Sequence, residues 1–276
     1  MTLVLDAMTE PSWVPPGVDP KRANIARVYD YWLGGTHNFL ADQDVARAIA
    51  AVAPAAPLIG LANRAFLRRA VRFLSAAGVR QFLDIGSGIP TQGNVHEVAQ
   101  QASPDARVVY VDTDPVAVAH SKAILSGNDG AAVIDADLRS PGEILGHKQT
   151  RRLIDPSQPT GLLLVAILHF IADAEDPWQI VAELRDALAP GSYLVLCHGT
   201  DDGMPVTARA VKEVYDRSVS TPLHVRSRAQ ITRFFDGFDL VEPGLVFIPQ
   251  WRPDSPADVP ADPHQYGNLV GVARKA

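Results

Sequence analysis

The feature that most constrains this chain is an alternation that begins near residue 80. Short apolar, β-branched runs recur at residues 81–85, 108–112, 131–135, 162–168 and 193–197, with helix-patterned stretches between them at about 92–102, 115–125 and 177–189. Each run is apolar at nearly every position rather than at every second one, so each strand must be covered on both faces. Parallel strands joined by crossover helices meet that requirement, and the pattern predicts a Rossmann-like, doubly wound α/β sheet. Residues 203–218 and 227–236 add two further helices, the second capped by Ser227, and residues 240–249 and 269–274 read as closing strands. Between those strands, residues 252–263 carry four prolines and three aspartates, a stiff acidic loop. A hairpin-like connection makes the final strand antiparallel and puts this loop at the carboxyl edge of the sheet, where open α/β sheets bind ligands.

Ahead of the alternation the chain is helical. In residues 20–33 the apolar positions Ile25, Val28, Tyr29 and Trp32 fall at helical spacing, Asp19 stands where a cap is needed, and Gly34-Gly35 is a stop. Two more helices are expected over about residues 42–52, ending before Pro54, and 58–77, ending at Gly78. The predicted organisation is a flexible tail over residues 1–19, a helical cap over 20–57, and an α/β domain over 58–276 with a helical insertion at about 203–225.

Composition narrows the function. The single cysteine, Cys197, excludes an internal disulfide and a cysteine-based zinc site, and no His/Asp/Glu group has metal-ligand spacing. The longest apolar run, residues 162–168, is far short of a membrane span, which takes roughly 18 residues. No Lys or Arg precedes Lys21, and the opening stretch holds Asp6, Glu10 and Pro15-Pro16, so no signal peptide is read and a cytoplasmic location is expected. With 25 basic and 31 acidic residues the formal charge is −6, a field that repels polyanions. The expected partner is therefore a small molecule, with no nucleic acid and no membrane; the oligomeric state is left open.

The chemistry concentrates at strand ends. Asp84-Ile85-Gly86-Ser87-Gly88 follows the first strand, and its glycines let the backbone turn sharply and let a ligand approach without meeting a Cβ. The next helix is expected to start near Thr91 to Gly93, turning its free N–H groups to the same place. The second strand ends in Val111-Asp112-Thr113-Asp114, where Asp112 can accept both hydroxyl protons of a ribose and Asp114 caps the helix beginning at Pro115. The third ends in Asp135-Ala136-Asp137-Leu138, where a carboxylate and a backbone N–H can read an adenine edge. A dinucleotide site usually has a third glycine where this chain has Thr91, and Asp84 in the turn would repel a pyrophosphate. A cationic nucleotide such as S-adenosyl-L-methionine, with its ammonium and sulfonium, suits three acidic strand ends better.

These features, DIGSG, VDTDP, DADL and LLLVAILHF on the alternating pattern, resemble the class I S-adenosylmethionine-dependent methyltransferases over about residues 60–276. The segments ARVYDYWLGGTHNFLADQD at residues 26–44 and ANRAFLRRAV at 62–71 resemble more specifically an actinobacterial S-adenosyl methyltransferase family formerly catalogued as a domain of unknown function. The resemblance implies a seven-stranded sheet with the last strand antiparallel and an N-terminal helical cap over the cofactor. By position it implies that Gly86 and Gly88 contact the methionine part, and that Asp84 and the Ala166 carbonyl hold its ammonium. It likewise places Asp112 on the ribose, Thr113 against the adenine, and Asp137 with Leu138 at the adenine edge.

Two histidines follow strands, and both are candidates for the catalytic work: His169 as the base or the group that orients the acceptor, and His198 as the second candidate. In the cap, Tyr29, Tyr31 and Asn38 are candidates to line the acceptor pocket, and Arg64, first of a stripe with Arg68 and Arg72, is a candidate carboxylate binder. The function that these residues point to is methyl transfer to a small-molecule acceptor. The alternatives are a non-catalytic protein that binds S-adenosylmethionine or S-adenosylhomocysteine, and an NAD-dependent dehydrogenase on the same sheet.

Overall fold

The computed structural model describes residues 13–90 and 93–276. The chain opens with three helices, α1 (Ile25–Trp32), α2 (Leu40–Val52) and α3 (Ala56–Ala76). The alternation then follows as β1 (Gln81–Ile85), α4 (Val95–Ala102), β2 (Arg107–Asp112), α5 (Pro115–Ile124) and β3 (Ala131–Asp135). Next come two short helices, α6 (Pro141–Gly146) and α7 (Lys148–Leu153), then β4 (Thr160–Val165), α8 (Pro177–Asp186) and β5 (Tyr193–Gly199). The chain ends with α9 (Pro205–Ser218), α10 (Arg228–Thr232), β6 (Phe238–Leu240), β7 (Val246–Phe247) and β8 (Asn268–Lys275).

The strand order is β3-β2-β1-β4-β5-β8-β6, with β7 also paired to β8. The first five strands are mutually parallel, and β8 runs antiparallel to β5, β6 and β7. Among the described residues the sheet has eight strands, not the seven expected. The extra one arises because residues 240–249 do not form a single strand: Pro243 has no N–H for a ladder and Gly244 turns at φ +84°, leaving two short pieces on β8. Order reverses between β1 and β4, the switch point where a crevice opens beyond the strands' carboxyl ends.

Alternation along each strand sorts its side chains between two cores. Leu83 and Ile85 of β1 and Leu194 and Leu196 of β5 face a core that includes Leu184, Ile231 and Phe234, under α8 and α10. Phe82, Tyr110, Val195 and Cys197 face the opposite core with Phe66, Leu67, Val71 and Leu74 of α3. The third cluster decides the shape of the site. Val28, Val45 and Ile49 of α1 and α2 pack with Phe170, Val214, Tyr215 and Leu223, so the N-terminal helices and the 203–225 segment share one apolar core. Among the described residues no single helix is long and apolar enough to cross a membrane.

Local chemistry moves some boundaries. Helix α1 starts at Ile25, not near Pro20, because Asn24 is the cap: its side chain accepts from the Ala26 N–H at 2.7 Å. Asp19 accepts from the Lys21 N–H instead. Asp42 ties α1 to α2, accepting from the N–H groups of Asn24 and Phe39, both at 2.8 Å. Of the tail expected over residues 1–19, residues 1–12 lie outside the described residues; Trp13 stacks on Phe39 with ring centres 5.1 Å apart. Of the helix start expected near Thr91 to Gly93, residues 91 and 92 also lie outside them; α4 begins later, at Val95, where Asn94 is the cap residue and Glu97 accepts from its N–H at 2.9 Å.

The two glycines after α1 serve different needs. Gly34 takes the left-handed conformation, φ +75°, that ends the helix, whereas Gly35 is pressed against the buried Asp30 carboxylate, which a Cβ would overlap. That carboxylate accepts from the His37 N–H at 2.9 Å and the Asn38 amide at 2.8 Å. Gly35→Ala is therefore expected to lower stability by about 1–2 kcal/mol through overpacking, measured by urea unfolding, while Gly35→Ala combined with Asp30→Gly should lose less than the sum of the two single losses, because the overlap is gone. An unchanged midpoint for Gly35→Ala would show that the loop absorbs the methyl group.

Candidate functional site

The crevice at the switch point continues into a cavity beneath the cap. Its floor is the strand edge: Asp84, Ile85, Gly86, Ser87 and Gly88 after β1, Asp112 to Asp114 after β2, Ala136 to Arg139 after β3, and Val165 to Ile167 after β4. Its roof comes from Tyr29 and Trp32 of α1, Ile49 of α2, Asn63 and Arg64 of α3, and Met204, Val211 and Tyr215 in and beside α9. Of the residues expected to bind the cofactor, all eight stand on this wall: Asp84, Gly86, Gly88, Asp112, Thr113, Asp137, Leu138 and Ala166.

The glycine turn has the geometry its composition requires. Gly86 and Gly88 lie at φ +74° and +66°. At Gly86 a Cβ would collide with Ile167, whereas at Gly88 it would meet nothing within 4 Å and would project into open space. Asp112 locks the turn: its Oδ2 accepts from the Gly88 N–H at 2.7 Å and its Oδ1 from the Asp114 N–H at 2.9 Å. Asp114 caps α5, accepting from Val116 and Ala117. Arg27 lies 3.6 Å from Asp114 and 3.8 Å from Asp42, and so links cap and sheet edge.

Burial leaves several groups short of partners. Asp84, 4% exposed, is pushed up to about 7 by burial, with the Arg64 charge opposing and Asp112 adding to the rise. Asp112 is raised to about 6 by burial, against which the N–H bonds from Asp114 and Gly88 act. Two carboxyls in one crevice are thus both held above the usual carboxylate range by burial. Three further buried atoms on the wall have no hydrogen-bond partner: Asn63 Oδ1, Arg64 Nε and Ser87 Oγ. Asn63 is otherwise fixed, donating to the Tyr29 hydroxyl at 3.0 Å, and that hydroxyl donates to the Gly60 carbonyl at 3.0 Å. Sequence reasoning passed over Asn63, although a polar residue on the buried stripe of an amphipathic helix is the signal that finds it. Asp137 sits nearer the mouth, its carboxylate 3.3 Å from Arg139.

The candidate histidines part company. His169, in a short 3-10 turn after β4, is on the cavity wall, and its Nδ1 accepts from the Gly199 N–H at 3.2 Å. Burial, with the Arg226 and His224 charges, pushes it down to about 3, so the ring is neutral. His198 does not reach the cavity. The period-two alternation of β5 puts it on the face of Leu194 and Leu196, fully buried, where Nε2 accepts from Arg226 at 2.8 Å and Nδ1 donates to the Gly199 carbonyl at 2.7 Å. Both its ring nitrogens are engaged within the fold.

Two cap candidates also fall away. Tyr31 is two positions from Tyr29 and so on the other side of α1, its ring beneath Arg47. Asn38 is held by the fold rather than offered to a ligand: its amide donates to Asp30 and to the Gly35 carbonyl, and its Oδ1 accepts from Gln43. The acidic loop 252–263 adds nothing to the wall. It is tied to α3 by the Arg72–Asp254 pair at 2.9 Å, and only the later residues Gln265, Gly267 and Asn268 line the cavity.

Comparison with known proteins places this geometry. Residues 11–276 match the family described as S-adenosyl methyltransferase. No curated protein matches. Among solved structures, a Thermobifida fusca YX protein described provisionally as a methyltransferase is 42% identical over 96% of this chain and 99% of that one, with a TM-score of 0.90. A DUF574 family protein from Streptomyces avermitilis MA-4680 is 38% identical over 94% and 99%, also at 0.90. An O-methyltransferase family protein from Burkholderia thailandensis, 12% identical over 80% and 57% with a TM-score of 0.52, is alike in fold alone. Of the functions left open by the sequence, methyl transfer is the one these findings select: the chain belongs to the S-adenosyl methyltransferase family and is an S-adenosylmethionine-dependent methyltransferase.

Proposed function

We propose that the chain methylates a small molecule enclosed between the sheet edge and the cap, and that the acidic strand ends hold the cofactor. The observation that carries the reading is the continuity of the cavity: one space is walled by the strand ends on one side and by α1, α2 and α9 on the other. The residues fit the cofactor. Asp84 faces an ammonium, Arg64 with its unpartnered Nε a carboxylate, and the turn at Gly86 and Gly88, open at Gly88, leaves room for the chain between them. Asp112 receives ribose hydroxyls, Thr113 lies against the adenine, and Asp137 with the Leu138 N–H reads its edge. Ala166, held at φ +63° with its N–H on the Cys197 carbonyl, lends its own carbonyl to the ammonium. When bound, S-adenosylmethionine supplies an electrophilic methyl group on a sulfonium; the protein supplies orientation and a dry enclosure. The net charge of −6 and the enclosure both favour a small acceptor over a polyanion.

Calorimetric titration with S-adenosylmethionine, S-adenosylhomocysteine and NAD tests the site. Binding of the first two and not of NAD is expected; binding of NAD alone would overturn the assignment. The titration also carries a pH signature. In the free protein Asp84 holds its proton until about pH 7, and an ammonium ligand favours the ionised form, so binding below that pH expels a proton. Affinity should therefore rise with pH through about 6 to 7 and flatten above, with heats that depend on buffer ionisation. Asp84→Asn should remove the Asp84 share of both effects. A pH-independent wild-type affinity would place the ammonium elsewhere.

A further inference from the structure

The acceptor half of the cavity differs in chemistry from the cofactor half. Its walls are Trp32, Ile49, Phe170, Val211, Tyr215 and Leu223, from α1, α2, the turn after β4, and α9 with the segment after it. Every charged residue on the described cavity wall, Arg64, Asp84, Asp112, Asp114, Asp137 and Arg139, belongs to α3 or the strand edge; α1, α2 and α9 contribute none. An ammonium-bearing acceptor would find no counter-charge there and would face the sulfonium.

Uncharged polar side chains also line the cavity, Thr200, Thr207 and Thr221 among them; His169 is the one ionisable imidazole on the described wall, and its hydrogen bonds fix what it can do. Nδ1 accepts from the Gly199 N–H, so in the neutral ring the proton is on Nε2. Nε2 has no partner among the described residues and is not among the buried orphaned atoms, so it opens on the cavity. Such a ring donates; it has no lone pair left at Nε2 with which to take an acceptor's proton. The groups that face it, Arg226 and His198 across β5 and His224 from the segment after α9, include no carboxylate that would favour its charged form. A donor suits oxygen rather than nitrogen. An amine has one lone pair, which His169 would occupy, whereas an oxyanion accepts from Nε2–H with one pair and attacks with another.

We propose that the acceptor is an apolar, ring-sized molecule whose nucleophile is an oxyanion, a phenolate or a carboxylate, bound by the Nε2–H of His169 and already deprotonated when it enters. This rests on the methyltransferase reading of the same cavity. The oxygen supplies the electron pair of the new O–CH3 bond, the pair of the broken S–CH3 bond stays on sulfur, and the negative and positive charges cancel. No proton is released in the step, so no enzyme base is required.

The test is calorimetric binding of naphthalene probes to the protein saturated with S-adenosylhomocysteine, whose own binding is measured first. Failure of that first titration would overturn the cofactor reading; the probe series bears only on the acceptor. At neutral pH 4-nitro-1-naphthol, ionised, and 1-naphthoate are the oxyanions, 1-naphthylamine and 1-methoxynaphthalene the uncharged controls. At least one oxyanion is expected to bind about tenfold or more tightly than either control, and the stronger of the two identifies phenolate or carboxylate. His169→Phe should erase the preference, and His169→Asn, which keeps an N–H donor but cannot serve as a base, should retain it. Tighter binding of 1-naphthylamine, or a preference unchanged in His169→Phe, would overturn the proposal.

Discussion

Replacing Arg226 by methionine is expected to lower the unfolding free energy by about 3–5 kcal/mol, measured by urea denaturation. The guanidinium is 1% exposed, and all five of its N–H donors are engaged. Nε and one terminal nitrogen donate to Asp173 at 3.0 and 2.6 Å; the other contacts are the carbonyls of Leu168 at 2.9 Å and Ile171 at 2.7 Å, and His198 Nε2 at 2.8 Å. Methionine restores much of the stem's volume but leaves the buried Ile171 carbonyl and one ring nitrogen without donors, and the Leu168 carbonyl with the Ile171 N–H alone, and that desolvation sets the size of the loss. Asp173 contributes less, being 56% exposed and able to turn to water. The consequence reaches the site, because Arg226 orients His198, His198 holds the Gly199 carbonyl, and the Gly199 N–H fixes the tautomer of His169. A loss below about 1 kcal/mol would show that water replaces the network and that His169 is oriented by other means.

This network marks the boundary of what could be read ahead of the structure. The strands and DIGSG are local statements: full burial forces unbroken apolar runs, and a turn at positive φ under a ligand forces glycine, so both are written in consecutive residues. Arg226 carries no such mark. An arginine in a polar stretch reads as solvated, and its pairing with His198, 28 residues away, exists only once β5 and the segment before α10 are packed together. The contacts of Asn38 are hidden for a related reason, since its partner Asp30 lies across the Gly-Gly turn. The placement of Tyr31 off the cavity wall is legible in helical spacing, which sets it two positions from Tyr29. The six-residue helices α6 and α7 are too short to show a period. The shared core of the cap and the 203–225 segment joins parts of the chain more than 150 residues apart, and no pattern within either segment announces the other.

Asp112→Ala is expected to weaken S-adenosylhomocysteine binding by about 1–3 kcal/mol, roughly 5- to 150-fold, at a pH above 7 where the wild-type carboxyl is ionised. The carboxylate has two tasks that the experiment must separate. It holds the glycine turn through the N–H groups of Gly88 and Asp114, and in the proposed reading of the site it receives the ribose hydroxyls. Loss of the first task lowers thermal stability and loosens the turn for any ligand. Loss of the second removes only the discrimination between a ribose and a deoxyribose. Wild-type protein should therefore bind S-adenosylhomocysteine more tightly than its 2′-deoxy analogue, and Asp112→Ala should bind the two nearly alike, a double-mutant cycle in which the coupling vanishes whatever happens to the turn. If the variant still prefers the ribose by the wild-type margin, Asp112 is a turn residue, and another group at the crevice reads the hydroxyls.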